Sequence, residues 1–191
     1  MKFLPDGVDN HHRNRQPGES REIPISMREI RSALRQASEE TLPSVAHRLA
    51  VEMEKAKPGE KVARWRKLVG AVFRGIWPLD VELQTGASTF KLAQILRATG
   101  PAFSEAADVI IPFIRPEGPN RHTSVYSIAE ADEFLFTSFP SKVLDLLSAT
   151  VGEALPASVH ALRKALIRIR TADPKLADTR EFQKLSGYAA P

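Results

Sequence analysis

The sequence predicts an all-α fold, and three observations support this prediction. Apolar residues recur at intervals of three and four over most of the chain, which is the period of a helix that buries one face. Pro and Gly stand at the boundaries of these segments, where helices begin and end. A large apolar residue that immediately precedes a helical segment occurs at Leu42, Phe103, Phe139 and Leu155. This recurrence indicates a repeated structural unit.

The chain has 191 residues and divides into two regions by composition. Residues 1–22 are polar and contain Pro5, Gly7, Pro17 and Gly18, so we expect a flexible arm there. This arm includes the basic patch "HHRNR", which is able to contact phosphate. From residue 23 to residue 191 we expect one α-helical, repeat-like domain.

The first three helices follow from capping signals and apolar periodicity. Ser26 is followed three residues later by Glu29, which is the spacing of a capping box. The second helix is predicted to begin at Pro43, because Pro lacks an N–H that would have no partner in the first turn. The third runs from about Glu60 to Gly75. We expect "LDVELQT" after it to form a helical turn or an extended connection, since a single strand would have no partner.

The remaining helices follow the same logic. The fourth covers 88–99 and is closed by Gly100. The fifth begins at Phe103, and Pro112 is expected to end or kink it, because Pro in a helix interior costs about 3 kcal/mol. Further helices are predicted over 125–138, 140–152, 156–172 and 179–188.

The repeat has an offset of 36 residues, which separates Phe103 from Phe139 and also Leu92 from Ile128. A period of about 30 to 50 residues with two helices in each unit is typical of an α-solenoid. The sequence therefore predicts a solenoid-like array of antiparallel helix pairs. The match is degenerate, and an irregular multi-helix bundle is the alternative.

Composition excludes several classes of site and of protein. The chain has no Cys, which excludes disulfides, thiolate zinc sites and Cys nucleophiles. No apolar run approaches the roughly 18 residues that a membrane span needs, so no membrane partner is expected. The N-terminal residues lack the apolar centre of a secretion signal. We therefore expect a cytoplasmic protein.

Two long runs resemble a known class of helical proteins. The runs are "IWPLDVELQTGASTFKLAQILRATGPAFSEAADVIIPFIRPEG" and "FPSKVLDLLSATVGEALPASVHALRKALIRIRTADPKLADTREFQKL". They resemble the C-terminal, HEAT-like helical tail of large multidomain bacterial proteins linked to phage defence. The resemblance covers about residues 70–187 and rests on packing patterns. It implies a helical-repeat fold and a role beside a nucleotide-handling or NAD-consuming domain. No domain of that kind is expected within this chain, so no catalytic residue is carried over.

The sequence contains none of the common catalytic or metal-binding motifs. The chain has no phosphate loop, no H-E-x-x-H spacing and no G-x-S-x-G elbow. We accordingly predict no catalytic residue, no cofactor and no metal site. An enzyme with an unrecognised site stays as an alternative, and a deep pocket that joins a carboxylate to His47, His122 or His160 would favour it.

Basic residues at helical spacing form two stripes that are the candidate contacts of the chain. The net charge is +4, because 27 Lys and Arg residues outnumber 23 Asp and Glu residues. Two basic stripes on adjacent repeats would suit phosphate groups or an acidic protein partner, and ordinary solvated helix faces are the alternative. The first stripe comprises Lys61, Arg64, Lys67 and Arg74, and the second comprises His160, Arg163, Lys164, Arg168 and Arg170.

These observations together predict a non-catalytic helical interaction or scaffold module. The expected partner is a protein, for example a separate effector subunit of a phage-defence system. The first alternative is a nucleic-acid-binding helical protein that uses the basic helix faces. The second alternative is the enzyme described above.

Overall fold

The computed structural model describes residues 26–80, 82–116, 123–153 and 158–190, and the predicted arm at 1–22 lies outside them. The all-α prediction is confirmed, and none of the described residues is in a strand. The α-helices are α1 Met27–Arg35, α2 Thr41–Lys55, α3 Lys61–Arg64, α4 Gly70–Gly75, α5 Gly86–Ala98, α6 Phe103–Ile110, α7 Thr123–Ala129, α8 Glu133–Ser138, α9 Pro140–Val151, α10 Val159–Ala172 and α11 Arg180–Ala189. Short 3₁₀ helices cover Pro58–Glu60, Gly100–Ala102, Ile111–Phe113 and Pro174–Asp178.

The first two helices begin at polar side chains that accept backbone N–H groups. The capping box of α1 is present as predicted, with Ser26 and Glu29 each bonding the other's backbone. Helix α2 begins at Thr41, two residues before the predicted start at Pro43. Ser38 and Thr41 exchange hydrogen bonds between side chain and backbone at 2.7 and 3.2 Å, and this pair begins the helix before Pro43 is reached.

Helices α3 and α4 are continuous, and Trp65–Val69 between them is one π-helical turn. The N–H of Gly70 donates to the carbonyl of Trp65, five residues earlier. A Cβ on Gly70 would lie 2.9 Å from Cε2 of the Trp65 indole. The missing side chain therefore lets the indole lie against the helix, where it is completely buried.

The prediction of one continuous helix over 125–138 is wrong, because the structure contains two separate helices there, α7 and α8. Asp132 has a non-helical backbone conformation, with φ −52° and ψ 144°, and its carboxylate accepts the N–H of Phe134 at 2.7 Å. An Asp N-cap satisfies an otherwise unpaired donor of the new helix. That local bond outweighs the apolar periodicity that runs through the break.

Helix ends agree with the predicted breakers. Gly100 and Gly152 have φ values of 55° and 65°, which L side chains rarely adopt, and Gly152 directly follows the end of α9. Pro112 lies in the 3₁₀ turn that follows α6, as expected for a residue that ends a helix.

The contacts between helices define two layers. In one layer α2 packs on α5, α5 on α7, and α7 on α10. In the other layer α4 packs on α6, α6 on α9, and α9 on α11. Each helix thus contacts the helix that lies one hairpin further along the chain. A solenoid-like array and an irregular bundle both permit these contacts, and the choice between them stays a prediction.

Buried apolar side chains from Ile30 to Ala189 form one contiguous cluster. The repeat-related residues Phe103 and Phe139 contact each other inside it, with ring centroids 5.7 Å apart. Phe139 also meets Phe134 edge to face, at 5.8 Å. The two residues that the predicted offset of 36 relates are therefore in direct contact.

Of the helices in the described part of the chain, none combines the length and the hydropathy that crossing a bilayer requires.

Candidate interaction surfaces

The first basic stripe is divided between internal ion pairs and open positions. Nη1 of Arg64 lies 2.9 Å from Oε2 of Glu52 on α2, and Nη2 of Arg74 lies 2.6 Å from Oε1 of Glu105 on α6. Lys61 and Lys67 have no ion pair within the described ranges. Half of this stripe therefore serves to join helices.

Glu105 is the centre of a small charged cluster. Arg66, which was not among the predicted contacts, donates from Nε to Oε2 of Glu105 at 2.9 Å. The hydrogen bond from Arg66 and then that from Arg74 hold the pKa of Glu105 below its ordinary value. The buried indole N–H of Trp65 also faces this carboxylate and lowers its pKa, although it lies outside hydrogen-bonding geometry. The cluster ties the π-helical turn to α6.

In the second stripe, Lys164 and Arg168 are bound to the α7–α8 junction. Nζ of Lys164 lies 2.7 Å from Oε1 of Glu130, and this bond lowers the pKa of the Glu130 carboxyl. Arg168 pairs with Glu133 at 2.5 Å, and its Nη1 donates to the carbonyls of Ala129 and Ala131 at 2.8 and 2.9 Å. Its guanidinium lies 3.7 Å from the ring centroid of Phe136. These two cations stabilise the break that Asp132 introduces.

The other members of the second stripe lie outside the ion pairs of that junction, although His160 is near enough to Glu130 for its charge to lower the pKa of that carboxyl. Arg163 donates from Nε and Nη2 to the carbonyl of Ala189, at the end of α11. His160 and Arg170 are exposed, and Arg170 has no ion pair with any described residue. His160, Arg163, Ile167 and Arg170 recur at intervals of three and four residues, so they share one face of α10. The structure thus separates the predicted stripe into two faces, one paired internally and one open.

A groove lies between this open face and α11. We call it the α10–α11 groove, and it has a volume of about 290 Å³. Phe182 and Leu166 are buried in its floor, whereas Ile167 is 50% exposed at its edge. Its lining residues are Arg163, Leu166, Ile167, Arg170, Phe182, Ser186, Ala189 and Ala190, and the charged members of this set are both arginines.

A second groove, the turn groove, lies where three connections between helices meet. It has a volume of about 270 Å³, and Phe134 is 44% exposed within it. Two cations, Lys61 and Arg97, face it together with one carboxylate, Asp132. Its lining residues are Pro58, Lys61, Arg97, Gly100, Pro101, Asp132, Phe134 and Leu135.

The two grooves do not meet the condition that would favour an enzyme. Neither lining includes a His, and both volumes lie just below the range of about 300 to 1,000 Å³ that is typical of small-molecule sites. His47 and His160 are exposed, and His122 lies outside the described residues. Within the described ranges no three His, Cys, Asp or Glu residues converge in a way that would hold a metal ion.

Ile167 and Phe134 are surface residues that were not among the contacts predicted from the sequence. Ile167 interrupts a helix face that is otherwise basic, and this interruption is a signal that the sequence does contain. Phe134 gave no comparable signal, because its exposure depends on the break between α7 and α8.

Comparison of the chain with known protein families, curated proteins and solved structures returns no match.

Proposed function

We propose that this protein is a non-catalytic helical interaction module that binds a protein partner. The observation that carries the proposal is the α10–α11 groove, where exposed apolar surface lies between two arginines. Apolar contact area combined with Arg is characteristic of the centres of protein interfaces. A volume suited to one large side chain fits a partner's anchor residue better than a whole substrate.

The internal ion pairs also favour a protein partner over nucleic acid. Arg64, Arg74, Lys164 and Arg168 each bind a carboxylate of this chain, so a phosphate would have to displace that carboxylate. Binding of nucleic acid gains affinity from counterion release at each new phosphate contact. A cation that is already neutralised by Glu contributes little to that release.

Nucleic-acid binding is the alternative, and the open cations favour it. Lys61, Lys67 and Arg170 lack ion pairs among the described residues, and the net charge of the chain is +4. If these residues contact phosphate, affinity must fall steeply as salt concentration rises.

The resemblance to the HEAT-like tails of bacterial phage-defence proteins supplies the setting of the proposal. We propose a cytoplasmic bacterial protein with stacked helix pairs, and a separate effector subunit as its partner. In this arrangement the effector would carry the chemistry, and this chain would position it.

The test is affinity purification of the full chain from its native host, at low and moderate salt, with and without nuclease. A recovered protein is then purified and its binding to the chain measured directly. We expect a defined protein that is retained after nuclease treatment and whose affinity falls much less steeply with salt than that of a nucleic acid with several phosphate contacts. Recovery of nucleic acid alone, lost as salt rises, would reject the proposal in favour of the alternative.

A further inference from the structure

We propose that the α10–α11 groove binds an acidic segment of a protein partner, with one large apolar side chain inserted against Ile167 and Phe182. Carboxylates on either side of that side chain would pair with Arg163 and Arg170. This inference rests on the proposed function, because it names the chemistry of the partner segment.

The shape and composition of the groove require an apolar side chain. Phe182 and Leu166 form a buried floor, and half of Ile167 is exposed beside them. Covering Ile167 removes apolar surface from water, which stabilises a complex in proportion to the area buried. A phosphate group placed over this floor would lose hydration and gain no polar partner from Leu166, Ile167 or Phe182.

The charges of the groove require an acidic partner. Arg163 and Arg170 are its charged lining residues, and neither has an ion pair with a described residue. The Ala189 carbonyl accepts hydrogen bonds from Nε and Nη2 of Arg163 and so orients its guanidinium. A guanidinium that is held in place binds a carboxylate with a smaller loss of side-chain entropy.

The carboxylates that pair with cations of α10 do not neutralise this charge. Glu130 and Glu133 contact Lys164 and Arg168, on the other face of α10. In the turn groove, by contrast, Asp132 lies beside Lys61 and Arg97. The lining of the turn groove therefore carries charges of both signs, whereas a groove that selects an acidic segment needs positive charges only.

The experiment begins with selection of short random peptides on the full-length chain by display. The affinities of the enriched peptides are then measured by fluorescence anisotropy for the wild type and three variants. Ile167→Glu and Arg170→Glu change exposed side chains of the groove, so both variants are expected to keep the wild-type circular dichroism spectrum. Arg31→Glu is the control, because Arg31 is exposed on α1 and also lacks an ion pair with a described residue.

We expect enriched peptides that combine Asp or Glu with Leu, Ile, Phe or Trp. Ile167→Glu and Arg170→Glu should each weaken binding about tenfold or more, as for central interface residues. Arg31→Glu should change it by less than about twofold, because it is remote from the groove. Basic or uncharged peptides, unchanged affinity in both groove variants, or the absence of any enriched peptide would overturn the inference.

Two further outcomes separate this inference from the proposed function. A short DNA duplex that displaces the peptides, and whose own binding is lost with Arg170→Glu, would assign the groove to nucleic acid and overturn the inference. A protein partner from the native host could instead bind both groove variants as tightly as the wild type. That result would overturn the inference but would still support the proposed function as an interaction module.

Discussion

Arg168 shows how a residue with the spacing of a surface cation becomes part of the helix framework. Its side chain is only 18% exposed and contacts Glu133, two backbone carbonyls and the ring of Phe136. The carbonyls belong to Ala129 and Ala131, at the end of α7, where helical acceptors lose their intrahelical donors. Arg168 therefore satisfies acceptors that the break between α7 and α8 creates.

We predict that Arg168→Ala lowers the free energy of unfolding by about 2 to 4 kcal/mol, because it leaves buried acceptors without donors and removes a stacked side chain. Arg168→Lys should recover less than half of this loss, since an ammonium cannot reproduce the planar fork of donors. Urea unfolding followed by circular dichroism measures both variants.

Arg170→Ala is the matched control for this experiment, because Arg170 is two positions away on the same helix and exposed. Its free energy of unfolding should stay within about 0.5 kcal/mol of the wild type. Equal losses for Arg168→Ala and Arg170→Ala would show that the contacts of Arg168 do not stabilise the fold.

At the scale of the element, the helices end where backbone conformation or packing demands it. The N–H of Gly152 donates to the carbonyl of Ser148 at 2.9 Å, which closes α9. Its φ of 65° lies in the region that favours glycine, and a Cβ there would lie 2.4 Å from Cγ of Pro116. This glycine thus permits both the turn after α9 and the approach of the chain at Pro116.

We predict that Gly152→Ala destabilises the protein by about 1 to 3 kcal/mol, because the new methyl group meets the Pro116 ring in an unfavourable backbone conformation. Gly75→Ala is the matched control, since it lies in α4 and nothing approaches its Cβ position within 4 Å. This control should be neutral or stabilise by up to about 1 kcal/mol. Thermal and urea unfolding test both. A stable Gly152→Ala protein would mean that the backbone relaxes at this turn.

At the scale of the whole molecule, one apolar cluster joins the helices of both layers. Leu185 of α11 and Trp65 in the first half of the chain belong to the same cluster and are both completely buried. A continuous core favours cooperative unfolding of a chain of this size. Arrays of repeats instead unfold as a sum of local units when the contacts between neighbours are weak.

We predict that Leu185→Ala lowers the urea midpoint equally when unfolding is followed by Trp fluorescence and by circular dichroism. The loss should be about 2 to 5 kcal/mol, as for a buried Leu that leaves a cavity. Both Trp residues, Trp65 and Trp77, lie in the first half of the chain, so their fluorescence reports on helices remote in sequence from α11. Far-ultraviolet circular dichroism reports on the helices of the whole chain.

The two probes separate cooperative from local unfolding. If fluorescence keeps the wild-type midpoint while circular dichroism shows an earlier partial loss, α10 and α11 unfold on their own. That result would favour a solenoid whose units are only weakly coupled. Ile167→Ala, at an exposed position, is the control and should move neither curve by more than about 0.5 kcal/mol.

The sequence by itself determined the helical class, because the period of apolar residues and the placement of Gly and Pro depend on neighbours along the chain. It was enough to predict the capping box at Ser26 and the helix ends at Gly100 and Gly152. The start at Thr41 and the break at Asp132 were missed, because single side-chain-to-backbone bonds outweighed the periodic pattern there.

Only the tertiary structure decided which cations are open to a partner. Lys164 and Arg170 belong to the same predicted basic stripe, yet Lys164 meets Glu130 and Arg170 borders a groove. A charge is neutralised by a residue that is near in space, and Glu130 is 34 positions away in sequence. Periodicity along the chain reports which face of a helix is polar, and the packing of helices determines what that face meets.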